Sequence, residues 1–176
     1  MNREPHILII TGTCGSGKTT VTTLLAKQQN WARVSEDDIW PRLFGKNRGA
    51  FGTEEHRRKR REVQEIVFGA CLAALAEGRN VAIDATIHET PPEAFGEYRE
   101  FFEARSIPWT LRVLHPRLEV AVVRDATRRT GRLGAEQVAS LWAKFTGAIF
   151  PEQCFIDTSD ETPEQTVRRF LDDEAA

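Results

Sequence analysis

The chain has 176 residues, of which 40% are hydrophobic and 28% are charged, and its 26 acidic residues nearly balance its 24 lysines and arginines. Chains of this length usually form one domain with a sizeable core. The composition excludes intrinsic disorder and a collagen-like fibre, and the net charge of -2 excludes a protein that coats nucleic acid over its whole surface. We therefore expect a single domain over residues 1–176.

Compartment and redox state follow from two further features of the sequence. No apolar run is long enough to cross a bilayer, and the first residues lead into a strand pattern without the core of a signal peptide. The three cysteines, Cys14, Cys71 and Cys154, lie far apart, without the spacing of a metal site or a disulfide framework. We expect a cytoplasmic protein with reduced thiols.

Apolar runs and helical patterns alternate along the first half of the chain. Strands are predicted over 6–11 and 32–35, and a helix from Gly17 to about residue 28. The acidic residues 36–38 are predicted to form a turn, followed by a loop. Thr53 is the expected N-cap of a helix that runs to about residue 77. The apolar residues of that helix recur at the spacing of one buried face, namely Val63, Ile66, Val67, Ala70, Cys71 and Ala74.

The alternation continues to the end of the chain, with strands predicted over 80–86, 109–115 and 154–158. Thr90 and Glu93 form a capping box for one helix, and Thr162 with Gln165 starts the last helix. Two more helices are predicted over 116–129 and from 134 to about 147. Alternating strands and helices require right-handed crossovers, so the fold class is α/β with a parallel sheet covered on both faces.

A glycine-rich loop follows the first predicted strand. Residues 12–19 read GTCGSGKT and match G-x-x-x-x-G-K-[ST] between a strand and a helix, the context that a phosphate-binding loop needs. Its N–H groups can curl around an anion at the start of a helix, and a lysine reaches the outer phosphates. An ordinary strand-to-helix turn would need only one glycine and no lysine. The expected nucleotide-binding residues are Gly12, Thr13, Cys14, Gly15, Ser16, Gly17, Lys18, Thr19 and Thr20.

Carboxylates end the second and third predicted strands, where ligands bind in open α/β sheets. Asp37 suits the group that orients an acceptor hydroxyl and takes its proton. Asp84 suits a ligand that, together with the Thr19 hydroxyl, holds the hydrated Mg²⁺. The alternative for Asp37 is a solvated turn or a helix cap, and the alternative for Asp84 is a turn cap.

Arg124 and Arg128 stand four residues apart on a predicted helix and so share one face. Such a pair can grip the transferring phosphoryl group from the side opposite the glycine loop. The alternative is a solvated basic face. The glycine-bounded link over 131–134 can act as a hinge, so residues 124–134 form the expected lid.

Residues around the expected acceptor pocket carry weaker signals. The aromatic side chain of Trp40 either stacks on a flat acceptor or covers the core. The basic run over 57–61 lies among acidic residues at helical spacing, so a solvated, ion-paired face is its default interpretation. The candidate acceptor contacts are Asp38, Trp40, Arg42, Thr86 and His88.

The whole set resembles the small P-loop kinases of the nucleoside monophosphate kinase-like superfamily, in particular the group with polynucleotide 5′-hydroxyl kinase, chloramphenicol phosphotransferase and zeta toxins. The resemblance rests on the glycine loop, on EDD over 36–38, on DAT over 84–86 and on RDATRRTGRLGAEQVASLWAKF over 124–145. It implies a three-layer P-loop NTPase fold with a central five-stranded parallel sheet and a short helical lid. It also implies Asp37 as the general base and phosphate contacts from Arg124 and Arg128.

The function expected from these residues is transfer of the γ-phosphoryl group of ATP, with Mg²⁺, to a hydroxyl of a small molecule, with Lys18 and the two lid arginines in the catalytic set. Polynucleotide kinase has an arginine three residues after its base, where this chain has Trp40, so a nucleic-acid acceptor is the second choice. An alternative from another class is a nucleotide-hydrolysing switch that alters a partner surface.

Overall fold

A computed structural model describes residues 4–28, 30–45, 47, 49, 52–87, 93–145 and 150–175. Parallel strands form one sheet in the order β2-β3-β1-β4-β5. This arrangement confirms the predicted α/β fold with a five-stranded parallel sheet. The strands are β1 (Ile7–Gly12), β2 (Trp31–Ser35), β3 (Asn80–Asp84), β4 (Trp109–Leu114) and β5 (Phe155–Ile156).

Helices cover both faces of the sheet because successive side chains of a buried strand point to opposite faces. Ile7 and Ile9 of β1 belong to one apolar core, and Leu8 and Ile10 belong to the other. The helices are α1 (Lys18–Leu25), α2 (Glu36–Phe44), α3 (Glu54–Ala76), α4 (Glu93–Glu103), α5 (Leu118–Ala126), α6 (Ala135–Lys144) and α7 (Pro163–Ala175). The first core receives side chains of α2, α3 and α4, and the second receives those of α1 and α7.

The prediction of a turn and a loop after β2 was wrong, since α2 begins at Glu36. Three acidic residues occupy its first turn, where negative charge favours the helix dipole. Ile39 and Trp40 anchor it in the core, so the helix forms in spite of Pro41 in its interior. Because residues 36–38 belong to this helix, the directions of their side chains are fixed, which would not be the case in a free turn.

The long helix α3 was predicted well at both ends. The Thr53 hydroxyl accepts a hydrogen bond from the His56 N–H at 3.2 Å, as an N-cap does. Four of the predicted inward residues are buried, but Ile66 is 43% exposed and Ala70 is also exposed, so those two predictions were wrong. The buried stripe consists of Val63, Val67, Cys71 and Ala74.

Other boundaries differ by a few residues. Helix α5 ends at Ala126, before the predicted end, so Arg128 lies beyond the helix. The last strand starts one residue later than predicted because Glu152–Cys154 forms a turn of 3₁₀ helix, and it ends at Ile156, two residues before the predicted end. Thr162 and Gln165 exchange the two hydrogen bonds of a capping box, at 2.7 and 3.3 Å, as predicted. The capping box predicted at Thr90 lies outside the described residues.

The three cysteines are all free thiols, as predicted. Cys71 of α3 is buried in the core, and burial raises the pKa of its thiol to about 12. Cys14 and Cys154 are partly exposed.

Candidate active site

The glycine loop connects β1 to α1 in a conformation that needs its glycines. Gly12, Gly15 and Gly17 have φ of 143°, 77° and 98°. A Cβ on Gly12 would lie 2.3 Å from the Leu114 carbonyl oxygen, and one on Gly15 would lie 2.1 Å from the Ala121 carbonyl oxygen. The loop is therefore held against β4 and α5 at positions where only glycine fits.

Lys18, the first residue of α1, folds back over this loop. Its ammonium group donates hydrogen bonds to the carbonyl oxygens of Gly12 at 2.7 Å and Thr13 at 3.0 Å. Burial lowers the pKa of Lys18, while the carboxylates of Asp84 and Asp37 oppose that shift. The loop thus carries a positive charge that its own backbone holds in place.

Buried polar atoms of the loop lack hydrogen-bond partners within the described part of the chain. They are the hydroxyl oxygens of Thr13 and Ser16, and in the adjacent strand β3 the Oδ1 atom of Asp84. Buried hydroxyls and carboxylates are normally hydrogen-bonded, and each missing bond is costly. These atoms and the glycine cradle fit a phosphate group with an associated hydrated cation.

A cleft of about 390 Å³ runs along the glycine loop. It gathers residues that are far apart in the sequence, including Asp37 from α2, Thr86 after β3, and Arg124 and Arg128 from the end of α5. Residues 13–20 line its floor, with Thr19 and Thr20 exposed. The cleft therefore brings together most of the residues that the sequence indicated.

Asp37 occupies the first turn of α2 and is exposed. Its location at the carboxyl end of β2 places it at the edge of the sheet where the glycine loop also lies. The carboxylate can therefore meet a hydroxyl group that enters the cleft. Asp37 as general base stays a prediction.

Asp84 ends β3 and is 1% exposed. Its Oδ2 accepts a hydrogen bond from the Nη2 of Arg33 at 2.8 Å, a partner that sequence reasoning missed. Arg33 lies on β2, and Ser35 of β2 is aligned with Asp84 in the parallel register, so the two charges come from adjacent strands. Only the three-dimensional pairing of β2 with β3 reveals this ion pair.

The two lid arginines differ in their surroundings. Arg124 donates from Nη2 to the carbonyl oxygens of Thr158 at 2.8 Å and Glu161 at 3.4 Å, so the loop before α7 holds its guanidinium. Arg128 lies beyond the end of α5, and its charge adds slightly to the lowering of the Lys18 pKa that burial causes. Both line the cleft, but the prediction that they project from one helical face was wrong.

Asp125 organises the lid and was not predicted. It is 1% exposed, and its Oδ2 accepts hydrogen bonds from the backbone N–H groups of Leu133 at 3.0 Å and Gly134 at 3.1 Å. Its Oδ1 lies 3.6 Å from the Nη1 of Arg128. One carboxylate thus joins the C-terminal end of the glycine-bounded link to α5 and also lies near Arg128, which precedes the link. The sequence signal was an acidic residue amid three arginines in the RDATRR segment.

The weaker acceptor candidates separate into three groups. Thr86 lines the cleft, whereas His88 lies outside the described residues. Trp40 is 5% exposed and stacks on His56 with ring centroids 5.7 Å apart, so it covers the core and does not stack on an acceptor. Asp38 and Arg42 are exposed and are not among the cleft residues, and Asp38 instead pairs with Arg33 at 2.5 Å.

The basic run of α3 is only partly a solvated face. Arg57, Arg58 and Arg61 are exposed and pair with Glu54 or Glu62, as predicted. Lys59 and Arg60 are 5% and 8% exposed, so for these two the prediction was wrong. The ammonium of Lys59 lies 2.7 Å from the Glu55 carboxylate, and the guanidinium of Arg60 lies 3.0 Å from the Glu97 carboxylate.

Glu36 lies next to the Asp37 position but faces the interior. Its Oε1 accepts a hydrogen bond from the Tyr98 hydroxyl at 2.7 Å. Burial raises the pKa of Glu36 to about 7, and the charge of Asp37 adds to the shift. The two adjacent acids therefore have different environments: Asp37 is exposed at the cleft, and Glu36 is half-buried beside Tyr98 of α4.

Two negative findings concern the described residues only. In this part of the chain no group of three or more His, Cys, Asp or Glu side chains could hold a metal ion. No helix of the described segments is long and apolar enough to cross a membrane.

Solved structures resemble this one over nearly its whole length. The tunicamycin resistance protein of Deinococcus radiodurans has a TM-score of 0.72 at 17% identity, covering 98% of this chain and 96% of that one. A sugar kinase from Janibacter sp. HTCC2649 has a TM-score of 0.65 at 21% identity, covering 96% and 93%. A chain of the Pnkp1/Rnl/Hen1 RNA repair complex has a TM-score of 0.62 at 22% identity, covering 81% of this chain and 44% of that one.

No curated protein sequence matches the chain. A family described as "AAA domain" matches residues 7–147, a range that includes the glycine loop, Asp37, Asp84 and the lid. The resemblance to the small P-loop kinases that the sequence indicated is confirmed at the level of the superfamily. The chain belongs to this AAA domain family and has the fold of the P-loop kinases.

Proposed function

We propose that this protein is an ATP-dependent kinase that transfers the γ-phosphoryl group to a hydroxyl of a small molecule. The observation that carries the proposal is that one cleft is lined by the glycine loop, by Asp37 of α2 and by Arg128. A phosphoryl-transfer site needs a phosphate cradle, a base for the acceptor and a cation at the transferred group.

The donor half of the site consists of the glycine loop and Lys18. Backbone N–H groups of residues 13–19 bind the nucleotide phosphates, and on binding the Lys18 ammonium exchanges its bonds to the Gly12 and Thr13 carbonyls for phosphate oxygens. Thr19 and Asp84 would hold Mg²⁺ and its waters. The cation would neutralise charge on the phosphates.

The acceptor half begins at Asp37. Its exposed carboxylate orients the acceptor hydroxyl and takes its proton as the new P–O bond forms and the bond from the γ-phosphorus to the bridging oxygen breaks, which releases ADP. Arg128 stabilises the charge of the transferred group from the lid side of the cleft. Arg124 shares this wall, and its bonds to Thr158 and Glu161 anchor the lid to the loop before α7.

A small acceptor is favoured over a polynucleotide by the charges near the pocket. The basic side chains of α3 are already paired with acids, so little free positive charge is left along this helix for a phosphate backbone. The structural likeness to a sugar kinase adds support for a hydroxylated small molecule. The likeness to a chain of an RNA repair complex keeps the polynucleotide 5′-hydroxyl kinase as second candidate.

An acceptor screen with γ-labelled ATP and Mg²⁺ tests the proposal. The panel includes sugars, sugar acids, nucleosides and 5′-hydroxyl oligonucleotides, each compared with a reaction without acceptor. Label in a small-molecule product is the expected result. Label in an oligonucleotide, with salt-sensitive binding, would favour the second candidate. Nucleotide hydrolysis that no acceptor changes would contradict kinase activity and support the switch.

A further inference from the structure

Arg33 on β2 uses all three of its guanidinium nitrogens to join three other elements. Its Nη2 lies 2.8 Å from Asp84 Oδ2 on β3, and its Nη1 lies 2.5 Å from Asp38 Oδ2 on α2. Its Nε donates to the Thr22 hydroxyl on α1 at 3.0 Å. One side chain thus contacts the helix after the glycine loop, the helix that carries Asp37, and the carboxylate that we assign to Mg²⁺.

These contacts differ in their strength. The side chain of Arg33 is 19% exposed and that of Asp84 is 1% exposed, so this ion pair is little weakened by water. Asp38 is 63% exposed, and its pairing with Arg33 is therefore worth little on its own. The pair with Asp84 dominates, because a buried carboxylate without a partner is strongly unfavourable.

The pairing also determines which oxygen of Asp84 remains available. Arg33 occupies Oδ2, while the buried Oδ1 has no hydrogen-bond partner in the described residues. The buried Thr22 hydroxyl, which accepts from Arg33, donates in turn to the Thr19 carbonyl oxygen at 3.2 Å. Arg33 therefore contacts Asp84 directly and is connected to the backbone of Thr19 through Thr22.

We infer that Arg33 is a positioning residue that holds Asp84 with Oδ1 free for the hydrated Mg²⁺ of the bound nucleotide. Through Thr22 and Asp38 it also keeps α1 and α2 in place relative to β2. This inference rests on the proposed nucleotide-binding function. A lysine would preserve the charge but not the three-way contact, since it carries a single ammonium instead of a planar fork of donors.

The chain offers a matched control on the same sheet. Arg112 of β4 has a side chain that is 22% exposed, and its Nη2 lies 3.5 Å from Asp173 Oδ2 on α7. It is a strand arginine with similar burial and a carboxylate partner, but its partners, Asp173 and the Leu111 carbonyl oxygen, are not residues that we assign to the nucleotide or to Mg²⁺. Arg112→Met thus reproduces the loss of a strand arginine away from the site.

The experiment measures the dissociation constant of ATP by calorimetry with Mg²⁺ and with a chelator, for the wild type and for Arg33→Met, Arg33→Lys and Arg112→Met. The ratio of the two constants is the gain in affinity from Mg²⁺. Loss of the charge-assisted hydrogen bond that holds Asp84 should lower this gain in Arg33→Met by about tenfold, which corresponds to about 1.4 kcal/mol. Arg33→Lys should recover part of it, and Arg112→Met should change it less than about twofold.

Circular dichroism shows which variants are folded. Folded Arg33 variants with the wild-type gain would overturn the inference, as would an equal loss in Arg112→Met. If Arg33→Met does not fold, Arg33→Lys decides by the same ratio. A wild-type protein without Mg²⁺-dependent ATP binding would instead refute the proposed function, which distinguishes the two failures.

Discussion

The donor and acceptor halves of the cleft are built in different ways. The donor half, residues 12–20 with α1, depends on glycines with positive φ and on hydrogen bonds from Lys18 to carbonyl groups a few residues away. The acceptor half, α2 with the neighbouring helices α3 and α4, depends on ion pairs between distant residues, such as Arg60 of α3 with Glu97 of α4. The donor half is therefore a local device that a motif encodes, whereas the acceptor half depends on tertiary contacts.

Apart from the change at Asp37 described last, the largest effect should come from Lys18→Ala, which removes the charged side chain of the donor half. The variant loses a positive charge aimed at the transferred phosphate, so kcat for transfer should fall by about 10²–10³-fold. Steady-state assays with labelled ATP measure this effect. Lys27→Ala removes an exposed lysine just after α1 and should leave the rate within twofold of wild type. A similar loss in both variants would contradict the local role of Lys18.

Arg60→Met should destabilise the acceptor half of the protein. Arg60 is 8% exposed and bonded to Glu97, so the change removes a charged hydrogen bond and should lower the free energy of unfolding by about 1.5–3 kcal/mol. Arg61→Met is the matched control, because Arg61 is exposed and its pair with Glu54 is exposed too. Its effect should stay within about 0.5 kcal/mol. Urea unfolding measures both, and equal effects would contradict the difference between the two neighbours.

Asp125→Ala tests the lid between the halves. The change leaves the N–H groups of Leu133 and Gly134 without their acceptor and should cost about 1–3 kcal/mol. Asp125→Asn retains an acceptor oxygen and should cost less. Hydrogen exchange at Leu133 and Gly134 should become faster in the alanine variant, and unchanged exchange there would contradict the role given to Asp125.

The last prediction in this series concerns how the free energy of unfolding depends on pH through Glu36 in the acceptor half. The folded-state pKa of Glu36 is about 7, above its usual value of 4.5, so the folded state keeps a proton that the unfolded state loses. The free energy of unfolding should therefore decrease as the pH rises from 4.5 to 7, by at most about 1.4 kcal/mol per pH unit from this group.

Glu36→Gln provides the control for that pH dependence. Glutamine retains an oxygen that can accept the Tyr98 hydrogen bond but does not titrate. The decrease should be smaller in the variant when both proteins are unfolded by urea across this range. Identical pH profiles would show that another group is responsible.

The sequence predicted the donor half and the fold because both depend on local patterns. The glycine loop is recognisable from spacing alone, and the alternation of apolar runs with helical patterns predicts a parallel sheet. Helix α2 was missed because Pro41 and three consecutive acids are typical of a turn. Burial of Ile39 and Trp40 outweighed that local preference.

The residues that sequence reasoning missed act through partners that are distant in the chain. Arg33 and Asp84 are 51 positions apart, and Arg60 and Glu97 are 37 apart. No periodicity or motif relates such residues, since the pairing depends on the register of β2 with β3 and on the packing of α3 near α4. The assignment of Trp40 to the acceptor failed for a similar reason, because its burial depends on His56 across the α2–α3 contact.

The most direct test of the kinase proposal is Asp37→Asn, assayed with the acceptor identified by the screen. The amide cannot take the acceptor's proton, so kcat should fall by about 10²–10⁴-fold while the affinity for ATP with Mg²⁺ stays at the wild-type value. Glu119→Gln changes an exposed acid in the first turn of α5 and should keep full activity. Full transfer by Asp37→Asn would contradict the account.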